Sequence, residues 1–294
     1  MSVPFVLAPE LRPGIPEAIS GRITRVIAAN PGPFTYTGSG TYLLTGDEET
    51  VVIDPGPDYE DHLQLVSEVA PKPIRRILIT HTHHDHSGGT ARLKELTGAR
   101  SIGFGPHPHP PGKGAPALEE GGDFGFRPDE TMADGECLHL PGLTITAVHT
   151  PGHISNHLCF ALAEENALFS GDHIMGWATT VVAPPEGDMA AYFESLEKLL
   201  DRNDSVYYPT HGAPIHEPHA FVEAVRDHRL AREASILSSL KDASRTIPEI
   251  VDLVYGELSA PIRFAAGLNV TAHLAMHEAT GRVRLIDGRY ELVG

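Results

Sequence analysis

Between positions 80 and 89 the chain reads Thr80-His81-Thr82-His83-His84-Asp85-His86-Ser87-Gly88-Gly89, directly after the apolar run Ile77-Leu78-Ile79. Four imidazoles and one carboxylate within six residues are donors that suit zinc, and also iron or manganese, so ligand type alone leaves the metal open. Alternate side chains of an extended segment project to one side, which lets His81 and His83 hold one ion. The turn that follows can aim Asp85 and His86 at a second. The plain alternative is a polar surface loop, and a cluster this dense at the end of a buried-type strand argues against it.

Three further positions share a setting at strand ends beside Gly or Pro: His153 in Thr150-Pro151-Gly152-His153, Asp172 in Ser170-Gly171-Asp172-His173, and His211 in Pro209-Thr210-His211-Gly212. Any one of them alone is more often a turn residue or a satisfied polar group than a ligand. As an ordered series, His-x-His-x-Asp-His, Pro-Gly-His, Ser-Gly-Asp and Pro-x-His-Gly resemble the metallo-β-lactamase superfamily across residues 20–215. The resemblance implies an α/β fold, an αββα sandwich with a dinuclear site at one edge of its sheets. It implies His81, His83 and His153 around a first metal, Asp85, His86 and His211 around a second, and Asp172 bridging, with Asp85 and Asp172 as the catalytic carboxylates. It also implies two divalent ions, zinc first, with iron or manganese as alternatives. Similar proteins place an Asp against a metal-bound His, a role open to Asp54 in Val51-Val52-Ile53-Asp54-Pro55-Gly56, where an Asp-Pro-Gly turn is the competing reading.

Charge supports hydrolysis independently of family. Two divalent cations set against two carboxylates and a bridging hydroxide leave a net charge of about +1 to polarise a carbonyl or phosphoryl oxygen. A water on such a site ionises near neutral pH, at about pH 7 in the single-zinc case. No nucleophilic Ser or Cys is then needed. No Gly-x-Ser-x-Gly elbow occurs, and Cys137 and Cys159, in strand-like apolar runs, are expected as core thiols. His84, His149, His157 and His173 crowd the motifs, and none is assigned as the acid.

The elements that must position these groups are short β-branched runs parted by Gly and Pro, at residues 22–28, 41–45, 50–54, 76–80 and 143–149. Apolar spacing of three and four predicts helices over 59–70, 89–96 and 188–201. Residues 105–123, with five Pro and five Gly beside His107 and His109, can hold little regular structure and are either a lid or mobile surface. Trp177 either lines a pocket or anchors the core. Helices are expected over 218–240, 247–255 and 261–280, then a hairpin around Asp287-Gly288. That ending resembles the superfamily branch with an appended winged-helix domain, which includes proteins reported as endoribonucleases; glyoxalase II shares the metal motifs but lacks the hairpin. The expected division is a catalytic domain over 1–215 and a linker helix plus winged-helix-like domain over 216–294, packed over the active-site edge as pocket wall or dimer interface.

The chain has 294 residues and a formal charge of -17, from 22 Lys and Arg against 39 Asp and Glu. Residues 225–294 hold nine basic and nine acidic side chains, so the whole acidic excess lies before them. This balance disfavours attraction to phosphate backbones or anionic membranes. Two Cys make a secreted disulfide framework unlikely by composition, and residues 1–14 show no basic stretch leading into an apolar core. We therefore expect a cytoplasmic hydrolase without membrane partners that acts on an ester, thioester or lactone-type small substrate. The alternative is a metal-dependent endoribonuclease acting on single-stranded RNA.

Overall fold

The computed structural model describes residues 3–8, 10–108 and 121–293, so His109 and most of the Pro-rich 105–123 stretch lie outside the described residues. The first sheet runs in chain order from β1 (Glu17–Ala18) and β2 (Ile23–Ile27) through β3 (Gly40–Thr45), β4 (Thr50–Ile53) and β5 (Ile74–Leu78) to β6 (Arg100–Gly103) and β7 (Glu130–Thr131). Its first four strands pair antiparallel and its last four parallel. The parallel pairs need crossovers, supplied by α1 (Glu60–Val69) between β4 and β5 and by α2 (His84–Ser87) and α3 (Thr90–Thr97) between β5 and β6.

A second sheet holds β8 (Cys137–Leu140), β9 (Leu143–His149), β10 (Leu158–Leu162), β11 (Ala167–Gly171) and β12 (Val206–Pro209). Its strands are antiparallel except β11 and β12, where α4 (Met189–Leu200) makes the crossover. Asp188 caps α4, its side chain accepting from the amides of Ala190 and Ala191.

Alternation along the strands explains the layering. Tyr42 and Leu44 of β3 face the second sheet and meet Phe160 and Phe169, whereas Leu43 points outward to Leu63 and Leu93 of α1 and α3. On the far side Cys159 and Leu168 pack against Tyr192, Leu196 and Phe221. Both sheets are therefore covered on both faces, giving the expected αββα order. The central strands read as continuous apolar runs because neither face meets water.

Beyond the sandwich come α5 (Pro218–Ser239), α6 (Ile247–Tyr255), α7 (Ala260–Ala279) and the hairpin β13 (Val283–Ile286) and β14 (Arg289–Leu292). They enclose their own apolar cluster, with Ile236, Ile250, Val270, Leu274 and Val283 at its centre. Asp287 and Gly288 both take positive φ, 49° and 76°, as a two-residue turn matched to strand twist requires. No described helix is long and apolar enough to cross a membrane.

Two sequence expectations need correction. Cys137 is exposed rather than a core thiol, because β8 is the edge strand of the second sheet; its Sγ lies 3.4 Å from Thr146 Oγ1. The strand expected over 76–80 ends at Leu78, so Thr80 and His81 already belong to the loop leaving β5.

Candidate active site

Leaving β5, the chain stays extended through His83 and then turns into α2, a single turn that aims Asp85 and His86 back at the strand ends. His81 Nε2 and His83 Nδ1 come within 2.9 Å. His153, in the loop after β9, brings its Nε2 to 3.1 Å from the same His83 nitrogen. A second group forms beside it, in which Asp85 Oδ2 lies 3.4 Å from His86 Nε2 and 3.2 Å from His211 Nε2.

Asp172, just past β11, stands between the two groups. Its Oδ1 lies 3.5 Å from His86 Nε2 and 3.4 Å from His211 Nε2, while its Oδ2 faces His153 Nε2 at 4.0 Å. Two glycines permit this approach. At Gly152, φ is 141° and a Cβ would sit 2.5 Å from Tyr192 Cα; at Gly171, φ is 51° and a Cβ would strike His157 Nε2 at 2.5 Å. All seven residues singled out from the sequence thus meet at one end of the strands.

The second nitrogen of four of the five rings is held by a carbonyl or a carboxylate. His153 Nδ1 lies 2.7 Å from the Val181 carbonyl and His211 Nδ1 3.2 Å from the Gly38 carbonyl, so both donate there. His86 Nδ1 donates to Asp54 Oδ2 at 2.8 Å, and His83 Nε2 to Glu186 Oε2 at 3.1 Å. Each arrangement turns the neutral ring's N–H outward and leaves the inward nitrogen to take up a cation, the orientation a metal ligand needs. Asp54 is itself fixed, accepting from the Thr80 amide, Thr80 Oγ1 and Thr210 Oγ1.

The electrostatics fit a bound cation. Burial pushes His81 well below the ordinary imidazole range and His153 down to about 4, with neighbouring imidazoles adding to the effect. Burial alone would also lower His86, yet Asp85, Asp172 and Asp54 drive it well above. For Asp85 and Asp172 burial acts upward and is outweighed by His86 and His211, so both stay ionised. His86 Nε2 and Asp172 Oδ1 are buried and have no hydrogen-bond partner. Inward-facing ring nitrogens and two carboxylates, one atom of each kind without a hydrogen-bond partner, fit divalent cations among these residues. Among the described residues, three candidate ligand groups have donor atoms mutually within 4.8 Å: His81 with His83 and His153, His81 with His86 and Asp172, and Asp85 with His86 and His211.

Sequence reasoning missed Glu186, which lies 103 residues from His83 in a loop without a motif and also accepts from His107 Nε2 at 3.1 Å. It missed Ser39, whose hydroxyl donates to Asp85 Oδ2 at 3.0 Å. The mouth of the cluster is a space of about 50 Å³ where Phe34, Met175 and Val181 join the ligand candidates. His84, His149, His157 and His173 are not among the described residues lining it. His157 instead accepts from the Asp172 amide at 3.1 Å, and His173 packs on Tyr192. The Cys159 thiol, pushed up to about 12 by burial, stays protonated.

Against known proteins, the profile of the metallo-beta-lactamase superfamily matches residues 37–211. An atrochrysone carboxyl ACP thioesterase of Aspergillus chevalieri is 34% identical over 257 residues, covering 83% of this chain and 77% of that protein. The beta-lactamase-like protein 2 homolog of Caenorhabditis elegans is 33% identical over 260 residues, covering 86% and 83%. A solved beta-lactamase domain protein from Burkholderia ambifaria shares the fold over 97% of this chain and 96% of its own, with a TM-score of 0.77 at 19% identity. With the profile spanning the ligand series from before His81 to His211, the chain belongs to the metallo-beta-lactamase superfamily of hydrolases.

Proposed function

We propose that the protein is a dinuclear metal-dependent thioesterase. His81, His83 and His153 would hold one divalent cation and Asp85, His86 and His211 the other, with zinc first and iron or manganese as alternatives that the same donors admit. The observation that carries the reading is Asp172, whose two oxygens divide between the two groups. When bound, the cations would polarise the acyl carbonyl and make a water nucleophilic near neutral pH. The chain's own residues keep the imidazole lone pairs inward, keep Asp85 and Asp172 ionised, and close the mouth with Phe34, Met175 and Val181.

Two further points favour a thioester over an amide. A thiol leaving group has a pKa of about 8.5 and departs as the anion, whereas an amine must be protonated as it leaves. Among the described residues at the mouth, every titratable group is a ligand candidate, leaving no spare acid. The Aspergillus chevalieri relative is a thioesterase, which supports the same class.

The test is turnover of an acyl N-acetylcysteamine thioester, followed by thiol release, beside single-stranded RNA as substrate. We expect thioester cleavage that a chelator abolishes and zinc restores. Asp172→Ala should lower metal content below two ions per chain and reduce the rate by about 100-fold or more. Cleavage of RNA alone, lost in His83→Ala, would overturn the proposal in favour of a nuclease.

A further inference from the structure

Beside the cluster lies a cavity of about 380 Å³, within the roughly 300–1,000 Å³ range of pockets that enclose a drug-sized ligand. It shares Phe34, Met175 and Val181 with the mouth of the cluster, so one molecule can reach both. Trp177 and Ala178 form one wall; Tyr255, Ile262 and Ala265, from the end of α6 and from α7, form another. Trp177 is braced there by Tyr36, the rings stacked 5.0 Å apart and 12° from parallel.

The lining decides what the cavity can take. Among the described residues around it none is Asp, Glu, Lys, Arg or His. Asn269 is already committed: its Oδ1 accepts from Arg229 Nη1 at 2.9 Å and its Nδ2 donates to the Ala265 carbonyl at 3.2 Å. A charged group moved here from water would meet no countercharge, which makes its burial costly, whereas a single polar atom could still pair with the Thr179 or Tyr255 hydroxyl or with Trp177 Nε1, which is buried without a partner. An apolar group meets no such penalty.

We propose that this cavity binds the acyl group of the substrate, and that this group is bulky, apolar and uncharged. The proposal rests on the thioesterase reading above. A thioester has two ends, and the usual biological thiol carriers are rich in amides or carboxylates, which suits them to solvent rather than to this lining. The acyl end then lies against Trp177 and Ile262 while its carbonyl reaches the cluster past Val181. The helices after the sandwich would thereby select the substrate without contributing to the chemistry.

The experiment compares N-acetylcysteamine thioesters of acetate, octanoate and 2-naphthoate, together with the unreactive amide analogue of the naphthoyl compound for direct binding by calorimetry. Ala265→Trp and Ala178→Leu fill the cavity from different walls, and bound metal is counted in each. We expect the native protein to prefer octanoyl and naphthoyl over acetyl by about tenfold or more in kcat/KM. Either filling variant should erase that preference and weaken the amide by about tenfold, with metal content retained. If all three thioesters turn over with the same ratios in native and filled proteins, or the amide binds the filled proteins as tightly, the cavity assignment is overturned and the thioesterase reading stands. If no thioester turns over while the amide binds the native protein and not the filled ones, the reaction is wrong and the apolar site is upheld.

Discussion

The mouth of the His/Asp cluster and the cavity beside it share three side chains, yet the two regions are anchored in different ways. The cluster sits where β5, β9, β11 and β12 end, the last two fully buried, and His83, His86, His153 and His211 each have an outward nitrogen held by a fixed carbonyl or carboxylate. The cavity is walled by a loop and by helices whose lining side chains are partly in solvent, Ile262 being 58% exposed. Reacting groups need placement to within a fraction of an ångström, whereas an apolar pocket tolerates rearrangement of its walls. On the function proposed above, chemistry belongs to the strand ends and selection to the helical wall.

The largest expected effect attacks the rigid side of that contrast through Asp54, which touches His86 but belongs to neither ligand group. Its φ of 50° is one that Asn also tolerates, so Asp54→Asn preserves the backbone. The amide must nevertheless turn its NH₂ toward one of the donors that Asp54 now satisfies, either toward the Thr80 amide or toward His86 and the two hydroxyls. Metal affinity, measured by competition with a chromogenic chelator, should fall by about 10–100-fold. Binding of the unreactive naphthoyl amide should change little, and a parallel loss of both would show that the two regions are not independently anchored.

The same contrast explains how much the sequence revealed. His81 to His86 were legible because five donor side chains crowd into six consecutive residues shortly after a strand. His153, Asp172 and His211 carry no local signal that separates them from turn residues, and only their order in a family pattern selects them. Glu186 and Ser39 were illegible because each reaches the cluster from a loop, through a contact no spacing rule encodes. Apolar periodicity marked α1, α3 and α4, and the three helices after the sandwich were also expected, all to within about two residues, the usual fraying of helix ends. Short strands such as β6, reading Arg-Ser-Ile-Gly, were hidden because pairing with neighbours makes them strands rather than their own composition. The cavity was hidden for a related reason, since its walls come from stretches far apart in the chain, each looking like ordinary apolar sequence.

A smaller effect concerns α7, which supplies part of the cavity wall and carries His273 on its inner side. Burial, with Arg229 nearby, lowers this imidazole from its ordinary 6.5 to about 3. The unfolded chain therefore takes up the proton first, so the contribution is fully present above pH 6.5 and is lost as pH falls toward 3. His273→Leu should remove that part of the acid sensitivity. Between pH 7 and 5 the parent should lose about 1–2 kcal/mol more than the variant in urea unfolding of the metal-loaded protein. Equal losses would mean that His273 is not held neutral, and that acid weakens the structure elsewhere.

The smallest effect tests whether the adaptable wall can loosen while the cluster holds. At the start of α6, Thr246 Oγ1 accepts from the Glu249 amide while the Glu249 carboxylate accepts from the Thr246 amide, a reciprocal cap that Arg289 of β14 reinforces through Glu249 at 2.8 Å. Thr246→Ala removes one half of it and should cost about 1 kcal/mol. Tyr255, at the opposite end of the same helix, lines the cavity, so the loss is transmitted toward the wall and away from the ligands. Hydrogen exchange should quicken in α6 and the hairpin with no change in the amides of β5 and β11. Faster exchange in those strands as well, or a drop in bound metal, would show that sandwich and C-terminal helices open as one cooperative unit and that the division between rigid chemistry and adaptable selection does not hold.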